Sequence, residues 1–282
     1  MKRVISLAAV SILAAGVLLT ATGSPRAAAG SAPAPGLPTV TIAMSGHSIK
    51  VGGMLQSGAV DIVSTTTNEA QGAPLLIRLN PGVTPAQLYA ALSAGAALDP
   101  NNLSRYGSIV INAAAPKGTS RVQTKLLPAQ YVAFDSAGDD PSRWPTTTFS
   151  VAKAPSPAAL PTPGAKVRAI EFRFRGARKL HEGELVRFKN ADFLAHMIVG
   201  TEAKSAKAAK PIVKALRAGN DAKAKRLSVG GALFMGAVSP GAVQQMKVTA
   251  PPGVWVLACF MDTQDRREHT RLGMERIIHI AR

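Results

Sequence analysis

Cys259 is the only cysteine in the 282-residue chain. It lies in Val254-Trp-Val-Leu-Ala-Cys-Phe260, an apolar run launched from Pro251-Pro-Gly. That run is rich in β-branched and aromatic residues and predicts a buried strand. A polar loop follows, then His269, then Met274 after four intervening residues, then a second predicted strand from Arg276 to Ala281. A thiolate, an imidazole and a thioether joined by one loop between two strands are three of the four donors of a blue-copper electron-transfer centre, a trigonal His2Cys set with a weak axial methionine. The remaining histidine must come from elsewhere, and His196, ahead of Met197-Ile-Val, is the candidate.

The elements that must position these residues fall into two similar halves. Short strand-like runs separated by polar turns begin at Val40 and continue to Val151, the pattern of a β-sandwich. One helix interrupts them, with Thr84 as N-cap and Pro85 at its first position. Residues 154–165 carry the proline-rich linker Ala154-Pro-Ser-Pro-Ala-Ala-Leu-Pro-Thr-Pro-Gly164, which reads as an extended spacer. The plan then repeats over 166–282. Gly58-Ala-Val-Asp-Ile-Val matches Gly183-Glu-Leu-Val-Arg-Phe, and Pro128-Ala-Gln-Tyr-Val-Ala-Phe-Asp135 matches Pro252-Gly-Val-Trp-Val-Leu-Ala-Cys259. In the second half Val167 to Arg173 reads as one strand. A basic helix is expected over about 205–225, broken or started by Pro211. The first copy has Asp135 in place of Cys259 and Pro74 in place of His196, so it has no metal ligands. The expected organisation is a leader over 1–29, a ligand-free sandwich over 38–153, the linker, and a metal-binding sandwich over 166–282. Cleavage in the linker is expected to release two folded halves.

The leader has Lys2-Arg3, an apolar stretch from Val4 to Leu19 and small residues up to an Ala-x-Ala near Ala29, the features of a secretory signal. No later apolar run approaches the roughly 20 residues of a membrane span. A secreted, periplasmic or cell-envelope protein is therefore expected. In such an oxidising place an unpaired cysteine needs burial, a partner chain or a metal. The net charge is +17 and unevenly placed: residues 30–154 hold 8 Lys/Arg against 6 Asp/Glu, and residues 165–282 hold 22 against 10. A basic second half suits an acidic partner protein reached through salt-sensitive contacts. Nucleic acid is not expected, because no stacking aromatics accompany the basic residues. The lysine-rich helix itself reads as a solvated face.

At Asn190-Ala-Asp-Phe-Leu-Ala-His196-Met-Ile-Val and Cys259…His269-Thr-Arg-Leu-Gly-Met274, the chain resembles the cupredoxins, small Greek-key β-sandwich copper proteins such as plastocyanin. The resemblance covers about residues 167–282. It implies an all-β fold of two tandem Greek-key sandwiches, each with a short inserted helix. It also implies one type 1 copper held by His196, Cys259 and His269, with Met274 as the weak axial ligand. Nine residues separate Cys259 from His269, where single-domain carriers have two to four, and five of the nine are charged, so this loop is expected to be solvated and mobile. Ala258 and Phe260 flank the cysteine where multicopper oxidases place histidine, so a carrier that is not an enzyme is expected. Phe193, Leu194 and Leu272 are the expected shield of the site. His47, His181 and His279 are read as outside it, Met261 as a loop residue and Asp139-Asp140 as a turn. A metal-free binding or structural protein of the cell envelope is the competing reading. Copper sequestration lacks the Met- or His-rich repeats it would need.

Overall fold

The computed structural model describes residues 36–95 and 99–282, and the leader expected over 1–29 lies outside them. The first half contains β1 (Thr39–Met44), β2 (Ile49–Gly53), β3 (Gly58–Gly72), β4 (Pro74–Leu79), α1 (Pro85–Ser93), α2 (Pro100–Leu103), β5 (Gly107–Asn112), β6 (Ala115–Leu126), β7 (Ala129–Asp135) and β8 (Thr146–Val151). The second half contains β9 (Ala165–Ile170), β10 (Arg173–Gly176), β11 (Lys179–His181), β12 (Leu185–Asn190), β13 (His196–Ala203), α3 (Ala206–Arg217), α4 (Asp221–Leu227), β14 (Gly230–Val238), β15 (Val243–Lys247), β16 (Gly253–Ala258) and β17 (Glu275–Ala281). The fold is mostly β. No helix among the described residues is long and apolar enough to cross a membrane.

The internal repeat is visible in the strand pairing. In the first half β4 lies between β5 and β7, with β8 beyond; in the second, β13 lies between β14 and β16, with β17 and β11 beyond. The facing sheets run β6-β3-β1-β2 and β15-β12-β9-β10, and in each the central pair is parallel. In both copies helices follow the matching strand, α1 and α2 after β4, α3 and α4 after β13. Thr84 caps α1 in a reciprocal capping box with Gln87, as Pro85 and the Thr-x-x-Gln spacing predict. Ser205 caps α3, which carries Pro211 in its interior, and Gly219-Asn220 separates it from α4. One basic helix broken at Pro211 is therefore corrected to two helices broken eight residues later, where glycine at φ 65° ends the first.

The expectation of two separate sandwiches does not hold. The edge of β6 meets the edge of β15, pairing Thr124 with Gln244 and Gln123 with Gln245, so strands of both halves form one eight-stranded sheet. Thr124 Oγ1 donates to the Val243 carbonyl at 2.7 Å, and Gln245 Nε2 donates to Gln123 Oε1 at 3.1 Å. A second seam joins β5 to β14. Ile109 N–H donates to Ser239 Oγ at 2.8 Å, and Ser239 N–H returns a bond to the Ile109 carbonyl. A Cβ on Gly236 would meet the Asn112 carbonyl oxygen at 1.6 Å, so glycine is what lets these backbones approach. Nor is the linker a free spacer. Ala154 N–H donates to Ser57 Oγ, Ala59 N–H to the Ala158 carbonyl, and Arg187 Nη2 to the Pro161 carbonyl.

The core beneath the candidate cysteine belongs to the second half. On β12, Val186 and Phe188 alternate with half-buried or exposed neighbours, as a strand with one wet face should. By contrast β16 loses that alternation. Trp255, Val256, Leu257 and Ala258 are all buried, because the opposite sheet covers one face and α3 covers the other. Expected outcome: protease nicking between residues 155 and 163 leaves two fragments that co-elute at the size of the intact chain on size exclusion. Release of free halves would contradict the shared sheet.

Candidate metal centre

Three segments deliver the site. The first is the turn from Asn190 to His196. Asn190 is fully buried and spends one amide hydrogen on this turn and one on β14, donating from Nδ2 to the Leu194 and Val238 carbonyls, while its Oδ1 accepts Asp192 N–H. The pairing of β13 with β14 then slips between His196 and Ile198. Such a bulge re-aims a side chain, and here the re-aimed residue is His196. The second segment is the end of β16, which carries Cys259. The third is a single 3-10 turn, His269–Leu272, closed by Gly273 at φ 93°. A Cβ at Gly273 would meet nothing, so the left-handed backbone rather than space calls for glycine there. That turn brings Met274 N–H onto the His269 carbonyl at 3.0 Å, and the Met274 carbonyl accepts Cys259 N–H at 3.2 Å.

His196, Cys259, His269 and Met274 are all 0% exposed. The two Nδ1 atoms lie 3.1 Å apart, and Cys259 Sγ is 3.6 Å from His196 Nδ1 and 3.4 Å from His269 Nδ1. The point equidistant from these atoms is about 2 Å from each, close to the roughly 2.0–2.3 Å of first-row metal bonds to imidazole and thiolate. Met274 is tied by its backbone to two of the three. Among the described residues no other group of three His, Cys, Asp or Glu side chains converges in this way. His47, His181 and His279 are exposed, while Met261 is buried and its carbonyl accepts His269 N–H.

The protonation of the site follows from its surroundings. Asp192 Oδ2 lies 3.2 Å from His196 Nε2, which favours the tautomer with the proton on Nε2 and turns the Nδ1 lone pair inward. Burial works to raise the Asp192 pKa, but N–H groups of Phe193 and Phe172 and the neighbouring His196 outweigh it and hold the carboxyl low. Burial pushes His196 down to about 4, against the pull of Asp192, and His269 down to about 3. Burial pushes the Cys259 thiol up to about 12. Without a cation, the thiol has one hydrogen to offer two inward imidazole nitrogens. A metal ion satisfies all three donors at once.

A buried His, Cys, His set at the end of a β-sandwich, with a methionine bonded to its backbone, is the arrangement the resemblance implies, and the cofactor this donor set fits is copper. No protein-family model and no curated protein matches the chain. Among solved structures, auracyanin from Roseiflexus castenholzii is 23% identical, covering 42% of this chain and 95% of its own, with a TM-score of 0.26. Auracyanin A of Chloroflexus aurantiacus, a "blue" copper protein, is 18% identical over 41% of this chain and 95% of its own, with a TM-score of 0.26. The copper nitrite reductase of Nitrosomonas europaea is 10% identical over 86% of this chain and 93% of its own, with a TM-score of 0.23. The expectation that the chain is not an enzyme is withdrawn: copper nitrite reductase stands among the solved structures similar over most of the chain.

The structure differs from the sequence reading in three further places. Val167 to Arg173 is not one strand. The chain reverses at Glu171-Phe172, with φ of 50° and 53°, and Arg173 pairs back onto Ile170. This is a two-residue hairpin turn of the kind that favours Asn-Gly, and holding two ordinary residues left-handed costs roughly 1–2 kcal/mol each. The turn sets Phe172 edge-on to His269, 4.9 Å between ring centres, and Phe172 N–H donates to Asp192 Oδ2 at 3.2 Å. Phe172 thus covers the site, while Phe193 is 69% exposed and reaches it only by packing on Phe172. The one sequence signal for Phe172 was two polar-apolar alternating runs abutting without turn residues between them. The long loop is also more ordered than its charges suggested. Thr263 and Arg267 exchange backbone and hydroxyl bonds, Asp262 bridges to Glu268, and only residues 264–267 are exposed. Finally, Asp135 in the first copy is neither idle nor a ligand. Its Oδ1 accepts Ala73 N–H at 2.9 Å, in the place where Cys259 Sγ meets Met197 N–H.

Buried Glu268 is pushed up to about 7, with the Thr270 hydroxyl working against that shift. In the metal-free protein the two titrations oppose each other. Each histidine stays uncharged when folded but binds a proton below about 6.5 when unfolded, so its contribution is complete above 6.5 and shrinks as pH falls toward 4. Glu268 holds a proton when folded where an unfolded glutamate has lost it, so its contribution is complete below about 4.5 and is lost as pH rises through 7. Glu268→Gln removes the second effect. Its melting temperature in metal-free protein should fall more steeply than the parent's between pH 6.5 and 4.5; an equal or shallower slope would contradict this assignment.

Proposed function

We propose that the chain is an exported type 1 copper protein that moves single electrons through a centre held by His196, Cys259 and His269, with Met274 as the weak fourth ligand. The observation that carries this reading is the convergence of three buried donor atoms within 3.1–3.6 Å of one another. Export is supported by the basic residues, apolar stretch and Ala-x-Ala at the N-terminus. Copper bound there would supply a one-electron couple that thiolate and thioether favour in the reduced form and imidazole in the oxidised form.

The protein's part is to keep the donors still. Three backbone bonds lock the loop: Cys259 N–H to the Met274 carbonyl, Met274 N–H to the His269 carbonyl, and His269 N–H to the Met261 carbonyl. Asp192 orients His196 from behind, and Phe172 keeps water from His269. A donor set already gathered moves little when charge changes, which is what fast electron transfer requires. An acidic redox partner suits the surface beside the site, where Thr270 bonds to the Leu216 carbonyl at the end of basic helix α3.

Visible absorption of copper-loaded protein tests the reading. Cys259→Ser should lose the intense band while the fold persists, and Met274→Leu should retain copper and raise its reduction potential, since a weak donor to the oxidised ion is gone. Asp192→Ala should weaken metal binding about 10–100-fold, the range for lost partners of metal-bound histidine. A parent that takes up no copper and stays colourless would leave a metal-free binding module in its place. Because Cys259 holds its proton at pH 7 and both histidines are uncharged, uptake should release one proton per metal, read by calorimetry in buffers of different ionisation enthalpy.

A further inference from the structure

Asn101 stands on α2 in the first half, yet its side chain touches both segments that carry the site. Asn101 Oδ1 accepts Ala195 N–H at 3.1 Å, one residue before His196. Asn101 Nδ2 donates at 2.9 Å to the Asp262 carbonyl, inside the Cys259–His269 loop. From these two bonds we infer that Asn101 is a positioning residue: a clamp, supplied by the half without ligands, that fixes the His196 turn to the Cys259–His269 loop.

The chemistry of the clamp is specific. One partner is a donor and the other an acceptor, so a single amide orientation satisfies both, and a carboxylate or an alkyl group cannot. The clamp also has a firm base. Asp99 Oδ1 accepts Asn101 N–H at 2.8 Å, Leu103 is wholly buried in the core under α1, and Asn80 Nδ2 donates to the Ser104 carbonyl. The seam from Ile109 to Ser239 holds the two halves together beside it. Within the second half, Cys259 and His269 are linked through Met274, and Asn190 secures the His196 turn. Asn101 bridges these two units from outside. Its relevance to copper rests on the copper reading, but the clamp itself does not.

The test uses the full chain, first without metal. In Asn101→Ala, exchange of the Ala195 amide should quicken about tenfold, and the buried Cys259 thiol should react about tenfold faster with a soluble disulfide reagent, the scale set by local opening that no longer breaks a hydrogen bond. Asn101→Asp keeps an acceptor for Ala195 N–H but has no donor for Asp262. It should therefore leave the amide protected and still speed the thiol reaction. Ile62→Ala, in the core of the first half, is the control for lost stability alone: its melting temperature should fall with thiol reactivity unchanged. After copper loading, the two Asn101 variants should shift the visible band and the potential while Ile62→Ala does not. The inference is overturned if Asn101→Ala leaves amide exchange and thiol reactivity at parental values, or if Ile62→Ala raises thiol reactivity as much. If the metal-free readouts move as stated but no variant or parent binds copper, the clamp stands and the copper reading falls.

Discussion

The structure depends on one demanding contact: two imidazole nitrogens and a sulfur facing each other in a dry pocket. Lone pairs held that close repel unless a proton or a cation lies between them, and a flexible chain would relax by turning one ring away. Here each donor is fixed from behind. Asp192 holds His196, the Met261 carbonyl holds the backbone of His269, and Met274 holds Cys259. The bulge in β13, the left-handed Gly273 and the forced turn at Glu171-Phe172 are local irregularities gathered around this one contact. Strain of this kind persists where its surroundings over-determine it, and it collects at functional sites.

The candidate donors stood out in the sequence because residues of their types are rare in this chain. A lone cysteine, the His-x4-Met spacing and an Asn-to-His turn stand out against a background of Val, Ala and Lys. The repeat was legible for a similar reason: Pro-to-Asp135 and Pro-to-Cys259 share a pattern of apolar residues, and their strands occupy matching places in the pairing. What stayed hidden were contacts between distant residues. Phe172 covers the site through a turn built from residues that do not favour it. Asn101 lies 161 positions from one partner and 94 from the other. The pairing of β6 with β15 rests on Gln123, Thr124, Gln244 and Gln245, polar residues with no apolar pattern to mark them as a buried seam.

The first half is best understood through its substitutions. Asp135 answers with its carboxylate the same backbone N–H position that Cys259 meets with sulfur, so the strand end keeps its shape without a metal. The bonds of Asn101 and Ile109 to the second half are made on the surface of this copy.

The joint between β6 and β15 also bears on how the chain avoids self-association. An open edge strand presents unpaired N–H and C=O groups that template pairing with any other exposed strand. Each four-stranded half-sheet has such a border, and here each border is capped by the other, as two cut ladders made into one. One pairing thus covers two sticky margins. A half produced alone would regain its margin, and its nearest substitute for the lost sister is a second copy of itself, joined edge to edge.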